Sequence, residues 1–324
     1  MTSYFAQLTT EKSNPATHSI DECDTRNMLL LMNDEDQLVP LSVRKEIDAI
    51  AAAVDLLHAS LKNGGRMFYV GAGSSGRLGV LDASECPPTY GTDPEMVQAY
   101  IAGGDIALRT AVEGCEDDAE SGAQLIMDKG VTSRDVVIGI TASGSTPYVL
   151  GAIRRAKELG AGTVGIVTNQ NSKLGEVCDI CIAPVVGPEV VAGSTRLKSG
   201  SAQKLVLNML TTGVMIKLGK VYNNLMVDLR ASNSKLYDRS IRIVRAVTGV
   251  TEQQAIEVLK QAGMQAKTAI LMIETGTDVV EAEQILQRHD GRLKAAIRSL
   301  KDNAAAPPLA PDGSDRVAND GNGS

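Results

Sequence analysis

The sequence is poor in aromatic residues and in basic charge, and each shortage excludes a class of protein. Its 324 residues include no Trp, two Phe and seven Tyr, so that aromatics make up only 3% of the chain. This composition excludes binding sites that stack nucleobases or sugars on aromatic faces. The 32 Lys and Arg against 39 Asp and Glu leave a net charge of −7, whereas nucleic-acid-binding proteins normally carry a basic surplus. We therefore expect no nucleic-acid partner.

Histidine and cysteine are too few and too scattered for the common metal sites and His-based catalytic triads. The three His are His18, His58 and His289, and the five Cys are an odd number, which does not suit a disulfide framework. Cys178 and Cys181 form a lone C-x-x-C with no second Cys pair and no nearby His. We expect both to be buried thiols and expect no metal site.

Long apolar runs are also missing. No stretch approaches the roughly 20 apolar residues that a membrane-spanning helix needs. The first residues, MTSYFAQLTTEKSNPATHS, are polar and lack the basic-then-apolar order of a signal peptide. The expectation from these two features is a cytoplasmic location with no membrane partner.

The sequence does contain buried-strand patterns, which alternate with helical patterns along residues 41–239. A helix is predicted over residues 41–63. The strand patterns are near-continuous apolar runs, which are typical of strands covered on both faces, as in parallel sheets. We therefore predict an α/β fold with a doubly wound, parallel, five-stranded sheet flanked by helices. The predicted strands lie in RMFYVGAG, MVQAYIAG, DVVIGITASG, TVGIVTN and DICIAPVV.

Three further segments differ from this core. Residues 1–40 are polar and are predicted to form an N-terminal arm. Residues 240–300 are free of strand patterns and predict a small helical module, in which Thr251 and Gln254 have the spacing of a capping box. Residues 301–324 are rich in Pro, Gly, Asn and Asp, and this composition predicts a disordered tail.

The first predicted strand ends in a glycine-rich loop. Gly71 to Gly76 match G-x-G-x-x-G between a strand and a helix, a pattern that also occurs in dinucleotide-binding folds. In those folds an acidic residue about 20 positions on contacts the ribose. Asp93 and Glu95 are at about that distance but precede the next predicted strand, so their placement does not fit a dinucleotide site.

The third predicted strand ends in a second loop of the same design, Thr141 to Pro147. Loops that combine hydroxyl groups, free backbone N–H groups and helix N-termini suit a phosphate monoester. Ser and Thr at these positions are also ordinary helix caps. Two such loops at the carboxyl ends of strands favour a sugar-phosphate site. The predicted phosphate ligands are Gly73, Ser74, Ser75, Ser143, Ser145 and Thr146.

A third element, Gly193 to Lys198, opens a long, mostly apolar helix pattern. Ser194 and Thr195 could add hydroxyl contacts to the ligand, and Arg196 or Lys198 could meet an anion. A helix cap followed by solvated cations explains the same residues equally well, and the spacing leaves both explanations open. Ser194, Thr195 and Lys198 are included among the predicted substrate- and phosphate-binding residues.

Two acidic residues are candidates for acid–base catalysis. Glu85 lies in LDASECPPTYG beside Cys86 and two Pro, and an apolar setting there would raise its pKa and suit a proton donor. Glu116 lies at the start of a predicted helix, where the helix dipole favours an ionised carboxylate and hence a base. Acids at helix N-termini are routine, and Asp117 and Asp118 share that position, so spacing alone does not single out Glu116.

These segments resemble one bacterial family, the N-acetylmuramic acid 6-phosphate etherases, which are built on the sugar isomerase (SIS) fold and take part in peptidoglycan recycling. The resemblance runs from LTTEKSNPAT to about residue 300, and LDASECPPTYG is its most specific segment. It is carried also by AVEGCEDDAESG, TASGSTPYVLGAI and GSTRLKSGSAQKLVLNML. The glucokinase regulatory protein shares the fold and binds sugar phosphates without converting them.

The resemblance implies a carbon–oxygen lyase that converts N-acetylmuramic acid 6-phosphate to N-acetylglucosamine 6-phosphate and D-lactate without a cofactor. It implies that Glu85 is the proton donor and that Glu116, rather than Glu113, is the base that removes the C2 proton. It also implies a homodimer in which the NDED arm or the helical module could reach the partner's site. A non-catalytic sugar-phosphate-binding regulator and an SIS-type sugar-phosphate isomerase remain the alternatives.

Overall fold

The predicted sheet is confirmed. The computed structural model describes residues 8–229 and 234–305, and its main sheet is parallel with the strand order β2-β1-β3-β4-β5. Neighbouring strands pair in register, for example Met67 with Val97 and with Val136. The strands are β1 Met67–Gly71, β2 Val97–Ile101, β3 Val136–Ile140, β4 Gly162–Ile166 and β5 Ile180–Ile182.

Helices cover both faces of this sheet, as a doubly wound fold requires. Alternate residues of β1 belong to different cores: Met67 and Tyr69 lie in one hydrophobic cluster, and Phe68 and Val70 lie in another. On the Tyr69 side the sheet is covered by α2 Leu38–Arg44, α3 Ile47–Lys62, α4 Gly73–Tyr90 and α8 Lys198–Lys217. On the Phe68 side it is covered by α5 Ala119–Asp128, α6 Pro147–Glu158 and α7 Lys173–Val177.

The single helix predicted over residues 41–63 is wrong, because α2 and α3 are separate helices. The chain leaves helical geometry at Glu46, whose φ and ψ are −97° and 9°. The Glu46 carboxylate accepts a hydrogen bond from the backbone N–H of Ala183, 3.1 Å away at the end of β5. This hydrogen bond fixes the junction between α2 and α3 to the end of the sheet. Helix α1, Thr25–Asp36, precedes α2 in the N-terminal segment.

A third hydrophobic cluster, the C-terminal cluster, lies in the last part of the described chain. It follows a short antiparallel hairpin, β6 Val221–Tyr222 and β7 Leu225–Met226, and is built mainly from helices. Leu236 and Val244 belong to the same cluster, so the predicted domain boundary between residues 239 and 240 falls inside one packed helix. The helices are α9 Ser234–Thr248, α10 Glu252–Gln261, α11 Ala266–Thr275, α12 Val279–Arg288 and α13 Leu293–Ala305.

Two sequence predictions concern the ends of these helices. The capping box at α10 is confirmed: the Thr251 hydroxyl and the Gln254 side chain each bond the other residue's backbone N–H. Helix α13 includes residues 301–305 of the predicted tail, and the rest of that tail, residues 306–324, lies outside the described residues. Within the described residues, no helix has both the length and the apolar character that a membrane span requires.

Candidate active site

A cavity of about 320 Å³ lies at the carboxyl ends of β1 and β3. Both glycine- and serine-rich loops open into it, as does the segment that precedes α5. This is the edge at which open α/β sheets bind ligands. Its polar lining includes Glu11, Ser74, Ser75, Glu116, Asp117, Thr141, Ser143, Ser145, Thr146 and Thr195.

The first loop is compact because its glycines let the strand and helix α4 touch. A Cβ on Gly76 would lie 2.6 Å from Ile101 Cγ1, and one on Gly71 would lie 2.7 Å from the backbone nitrogen of Gly76. These two glycines of the G-x-G-x-x-G pattern therefore serve strand–helix packing. The first turn of α4 carries backbone N–H groups that have no partner within the helix. Gly73, Ser74 and Ser75 present this turn to the cavity.

The hydroxyl groups of the second loop lie within hydrogen-bonding distance of one another. Thr141 Oγ1 lies 2.7 Å from Thr146 Oγ1, and the Ser145 hydroxyl donates to Ser143 Oγ over 3.0 Å. Gly144 has φ +69°, and a Cβ there would lie 2.3 Å from Ser172 Cβ, so the bend depends on glycine. Helix α6 begins directly after the loop, and its N-terminus therefore adds a positive potential to the cavity.

Glu116 reaches the same cavity from a short 3₁₀ turn, Cys115–Asp117, before α5. Its neighbours have different roles. Asp118 caps α5 by accepting bonds from the Ser121 hydroxyl and backbone N–H, and these bonds hold the pKa of Asp118 below its ordinary value. Asp117 lines the cavity with Glu116, whereas Glu113 is not part of the lining. The structure thus reduces the candidate bases on this segment to two residues.

Glu85 is not brought to the cavity of its own chain. It lies in α4, twelve positions after Gly73, which is about 18 Å along a helix. Its side chain is exposed. The apolar setting expected for Glu85 instead surrounds its neighbour Cys86, where burial raises the pKa of the thiol to about 12. Glu85 and Glu116 therefore do not form a pair within one chain.

The third element is only partly at the cavity. Thr195 and Gly193 line it, but Ser194 and Lys198 do not. Lys198 is only 1% exposed, and its ammonium group donates to the Glu35 carboxylate of helix α1. The prediction of Lys198 as a phosphate ligand is therefore corrected to a buried ion pair within the chain. The same pair engages Glu35 of the NDED segment, which was expected to be available to a partner subunit.

One lining residue, Glu11, was missed by the sequence analysis. It ends a 3₁₀ turn, Thr9–Glu11, that is fixed between two loops. The Thr9 backbone N–H donates to Asn169 Oδ1 over 2.7 Å, and Gly193 N–H donates to the Thr10 carbonyl over 3.0 Å. The LTTEKSNPAT segment has no periodicity that indicates this role, because its position depends on loops more than 150 residues away in sequence.

Within the described ranges, no group of three or more His, Cys, Asp or Glu side chains is arranged so that it could hold a metal ion. Cys178 and Cys181, predicted to be buried, are half-buried free thiols near β5. The site therefore offers hydroxyl groups, backbone N–H groups and carboxylates, a set suited to phosphate binding and proton transfer.

Comparison with known proteins identifies related sequences along nearly the whole chain. Residues 117–213 match the SIS domain, residues 49–157 the N-terminal SIS domain of glucokinase regulatory protein, and residues 223–268 the C-terminal lid domain of that protein. The match to the lid domain begins within the β6–β7 hairpin, near the start of the C-terminal cluster.

Three curated relatives are each named N-acetylmuramic acid 6-phosphate etherase. The Clostridium acetobutylicum protein is 55% identical, covering 92% of this chain and 99% of its own. The Caldanaerobacter subterraneus subsp. tengcongensis protein is 53% identical, with 91% and 96% covered, and the Serratia proteamaculans protein is 55% identical, with 90% and 98% covered. By this near-complete similarity, the chain belongs to the N-acetylmuramic acid 6-phosphate etherase family.

Proposed function

We propose that this protein cleaves the D-lactyl ether of N-acetylmuramic acid 6-phosphate, giving N-acetylglucosamine 6-phosphate and D-lactate. The observation that carries the proposal is the 55% identity to a relative of this name over 92% of the chain. The polar cavity supports it, because it combines phosphate-binding loops with carboxylates. A phosphate ester is charged and crosses a lipid bilayer poorly, so we place the reaction in the cytoplasm.

The 6-phosphate binds between the two hydroxyl-rich loops. Helices α4 and α6 both begin at the cavity, so their dipoles and first N–H groups favour a dianion there. The hydroxyl groups of the two loops add further donors. The phosphate ligands in this proposal are Gly73, Ser74, Ser75, Ser143, Ser145 and Thr146, and Thr195 also lines the cavity.

The reaction needs a base and an acid. Opening of the sugar ring gives a C1 aldehyde, which acidifies the C2 proton. Glu116 removes that proton, the C3–oxygen bond breaks as the C2–C3 double bond forms, and Glu85 protonates the departing lactate oxygen. Water then adds its oxygen to C3, and C2 regains a proton. The atoms balance without a redox step.

Glu85 acts, in this proposal, in the site of a partner subunit. Leu81 precedes Glu85 by one helical turn on the same face of α4 and is 51% exposed. Leu38 and Leu41 of helix α2 are also exposed. A mostly apolar cavity of about 620 Å³ is lined by Leu81 and by Ser74 of the first loop. A second copy of the chain that covers this face forms a homodimer and carries Glu85 toward the partner's cavity.

Mixing two inactive variants tests this arrangement. Glu85→Gln and Glu116→Gln chains are co-expressed with different affinity tags, and the mixed dimers are purified through both. We expect mixed dimers to have about half the wild-type rate, because one of their two sites contains both intact carboxylates. Each homodimeric variant serves as the control. Mixed dimers that stay as inactive as both controls would show that each site takes both carboxylates from one chain.

The reaction itself is tested with N-acetylmuramic acid 6-phosphate in ¹⁸O-labelled water. We expect lactate release, with the label in the C3 hydroxyl of the sugar product, because water adds to C3 after elimination. Mass spectrometry of both products locates the label. Label in lactate would contradict elimination, and an absence of lactate would favour a sugar-phosphate-binding regulator or an isomerase.

A further inference from the structure

Buried polar side chains of helix α8 contact the first glycine-rich loop, Gly71 to Gly76. Gln203, on the second turn of α8, is 1% exposed and touches the loop through one contact: the Ser75 hydroxyl lies 2.9 Å from Gln203 Oε1. The same helix reaches the second loop through Ser199, whose hydroxyl lies 3.2 Å from Thr168 Oγ1, which in turn donates to the Ala142 carbonyl. Helix α8 is thus linked to both loops by hydrogen bonds of its buried side chains.

Gln203 is also one of the few buried side chains whose hydrogen-bonding capacity is unfilled. Among the described residues, its Nε2 atom is buried and has no hydrogen-bond acceptor. A buried donor without a partner costs about 1–3 kcal/mol, so such groups normally find one. Ser75 meanwhile donates its only hydroxyl proton to Gln203 Oε1 and has none left for a ligand.

A half-turn of the Gln203 amide about its last side-chain bond gives Nε2 an acceptor and frees the hydroxyl proton of Ser75. The amide oxygen and nitrogen have nearly the same shape and exchange positions in this rotation. Nε2 then donates to Ser75 Oγ, and the Ser75 hydroxyl proton becomes free to point into the cavity. The amide oxygen then occupies the former position of Nε2, and an unfilled acceptor is better tolerated there than an unfilled donor.

We propose that Gln203 is a positioning residue that donates to Ser75 in the ligand-bound protein, so that the Ser75 hydroxyl donates to the substrate phosphate. The proposal rests on the phosphate role given above to Ser75. It makes the amide of Gln203 a determinant of phosphate affinity, although the residue does not line the cavity. The amide type matters because only a side chain that can donate leaves Ser75 its proton.

Binding of N-acetylglucosamine 6-phosphate to Gln203→Glu and Gln203→Met variants, measured by calorimetry, tests the proposal. A carboxylate can only accept hydrogen bonds, so the Ser75 hydroxyl would donate its proton to residue 203 and not to the phosphate. We therefore expect Gln203→Glu to weaken binding about 10- to 100-fold. Gln203→Met leaves the Ser75 hydroxyl unaligned, and a loss of about three- to tenfold is expected. In both variants KM should rise more than kcat falls, since the residue acts on the phosphate and not at the reacting carbons.

The Ser75→Ala background separates this role from general packing. There, Gln203→Met should change the affinity less than about twofold, because the two residues act through one hydrogen bond. If Gln203→Met weakened binding equally in the wild-type and Ser75→Ala backgrounds, the proposal would be overturned. An unchanged affinity in the Ser75→Ala single variant would also overturn it. Lactate release by the wild-type protein is scored separately, so a failed etherase assay and a failed Gln203 coupling are distinct results.

Discussion

We expect Glu116→Gln to lower kcat by about 10²- to 10⁴-fold, the usual range for loss of a positioned acid or base. The amide keeps the shape and hydrogen-bonding reach of the carboxylate but cannot take the C2 proton. Substrate binding should change much less, because the proposed phosphate ligands lie in the two hydroxyl-rich loops and not on the Cys115–Asp117 turn that carries Glu116. Steady-state lactate production at saturating substrate measures kcat directly.

Exchange of the C2 hydrogen with deuterated water isolates the step assigned to Glu116. The wild-type protein should exchange this hydrogen in the product N-acetylglucosamine 6-phosphate, and Glu116→Gln should lose the exchange in the same proportion as kcat. Glu85→Gln should retain it, because its assigned step is protonation of the lactate oxygen.

Neighbouring acids provide matched controls. Asp117→Asn changes the second carboxylate that lines the cavity, and Glu113→Gln changes an acid that does not line it. We expect Glu113→Gln to keep the wild-type rate. A large loss in Asp117→Asn together with a small loss in Glu116→Gln would transfer the role of base to Asp117. Near-wild-type turnover in Glu116→Gln would remove it from the mechanism.

Gly151→Ala should destabilise the protein by about 2–4 kcal/mol. Helices α5 and α6 touch backbone to backbone at this point. A Cβ on Gly151 would lie 1.9 Å from the Ala119 carbonyl oxygen, and one on Gly122 would lie 1.9 Å from the Tyr148 carbonyl oxygen. Because both close atoms belong to backbone, the clash cannot be relieved by a side-chain rotation. Unfolding in urea, followed by circular dichroism, measures the loss.

Gly200→Ala is the matched control for this prediction. Gly200 also lies within a helix, α8, but a Cβ there would meet no atom closer than 3.6 Å. Without a clash, alanine in a helix is expected to be neutral or to stabilise by about 0.4–1 kcal/mol. Equal effects of the two substitutions would show that the α5–α6 contact is more adaptable than its distances indicate.

The α5–α6 contact also bears on the site. Helix α5 begins two residues after Asp117, and α6 begins directly after Thr146. Separation of the two helices would therefore move Glu116 relative to the second hydroxyl-rich loop. A displacement of about 1 Å at a reacting group can cost 10²-fold in rate. We expect the folded fraction of Gly151→Ala to show a reduced kcat in addition to its reduced stability.

The sheet and its two loops could be predicted from the sequence because the signals are local. Each strand is a short apolar run, and each hydroxyl-rich loop directly follows its strand. The carboxyl ends of parallel strands share one edge of a sheet, so the two loops had to meet there. Glu116 was assigned to the site by the family resemblance, because its spacing alone did not separate it from Asp117 and Asp118.

The errors concern side chains whose environment comes from distant parts of the chain. Lys198 looked like a cation available to an anion, yet it is buried against Glu35, 163 positions earlier. Glu85 looked enclosed beside Cys86 and two Pro, yet successive residues of a helix point in different directions, and Glu85 points to solvent while Cys86 points to the core. The local sequence around Glu85 did not show that its face of the helix would stay uncovered.

The sequence by itself determined the α/β class, the five strands of the main sheet and the hydroxyl-rich loops, because hydrophobic periodicity and turn chemistry act over a few neighbouring residues. It did not indicate the β6–β7 hairpin. Only the tertiary structure decided that Glu11 lines the cavity, that Lys198 is buried and that Gln203 supports Ser75 from 128 positions away. Those placements depend on which distant surfaces pack together. Burial and hydrogen-bond partners are properties of that packing, and they turn a Ser- and Gly-rich pattern into a defined site.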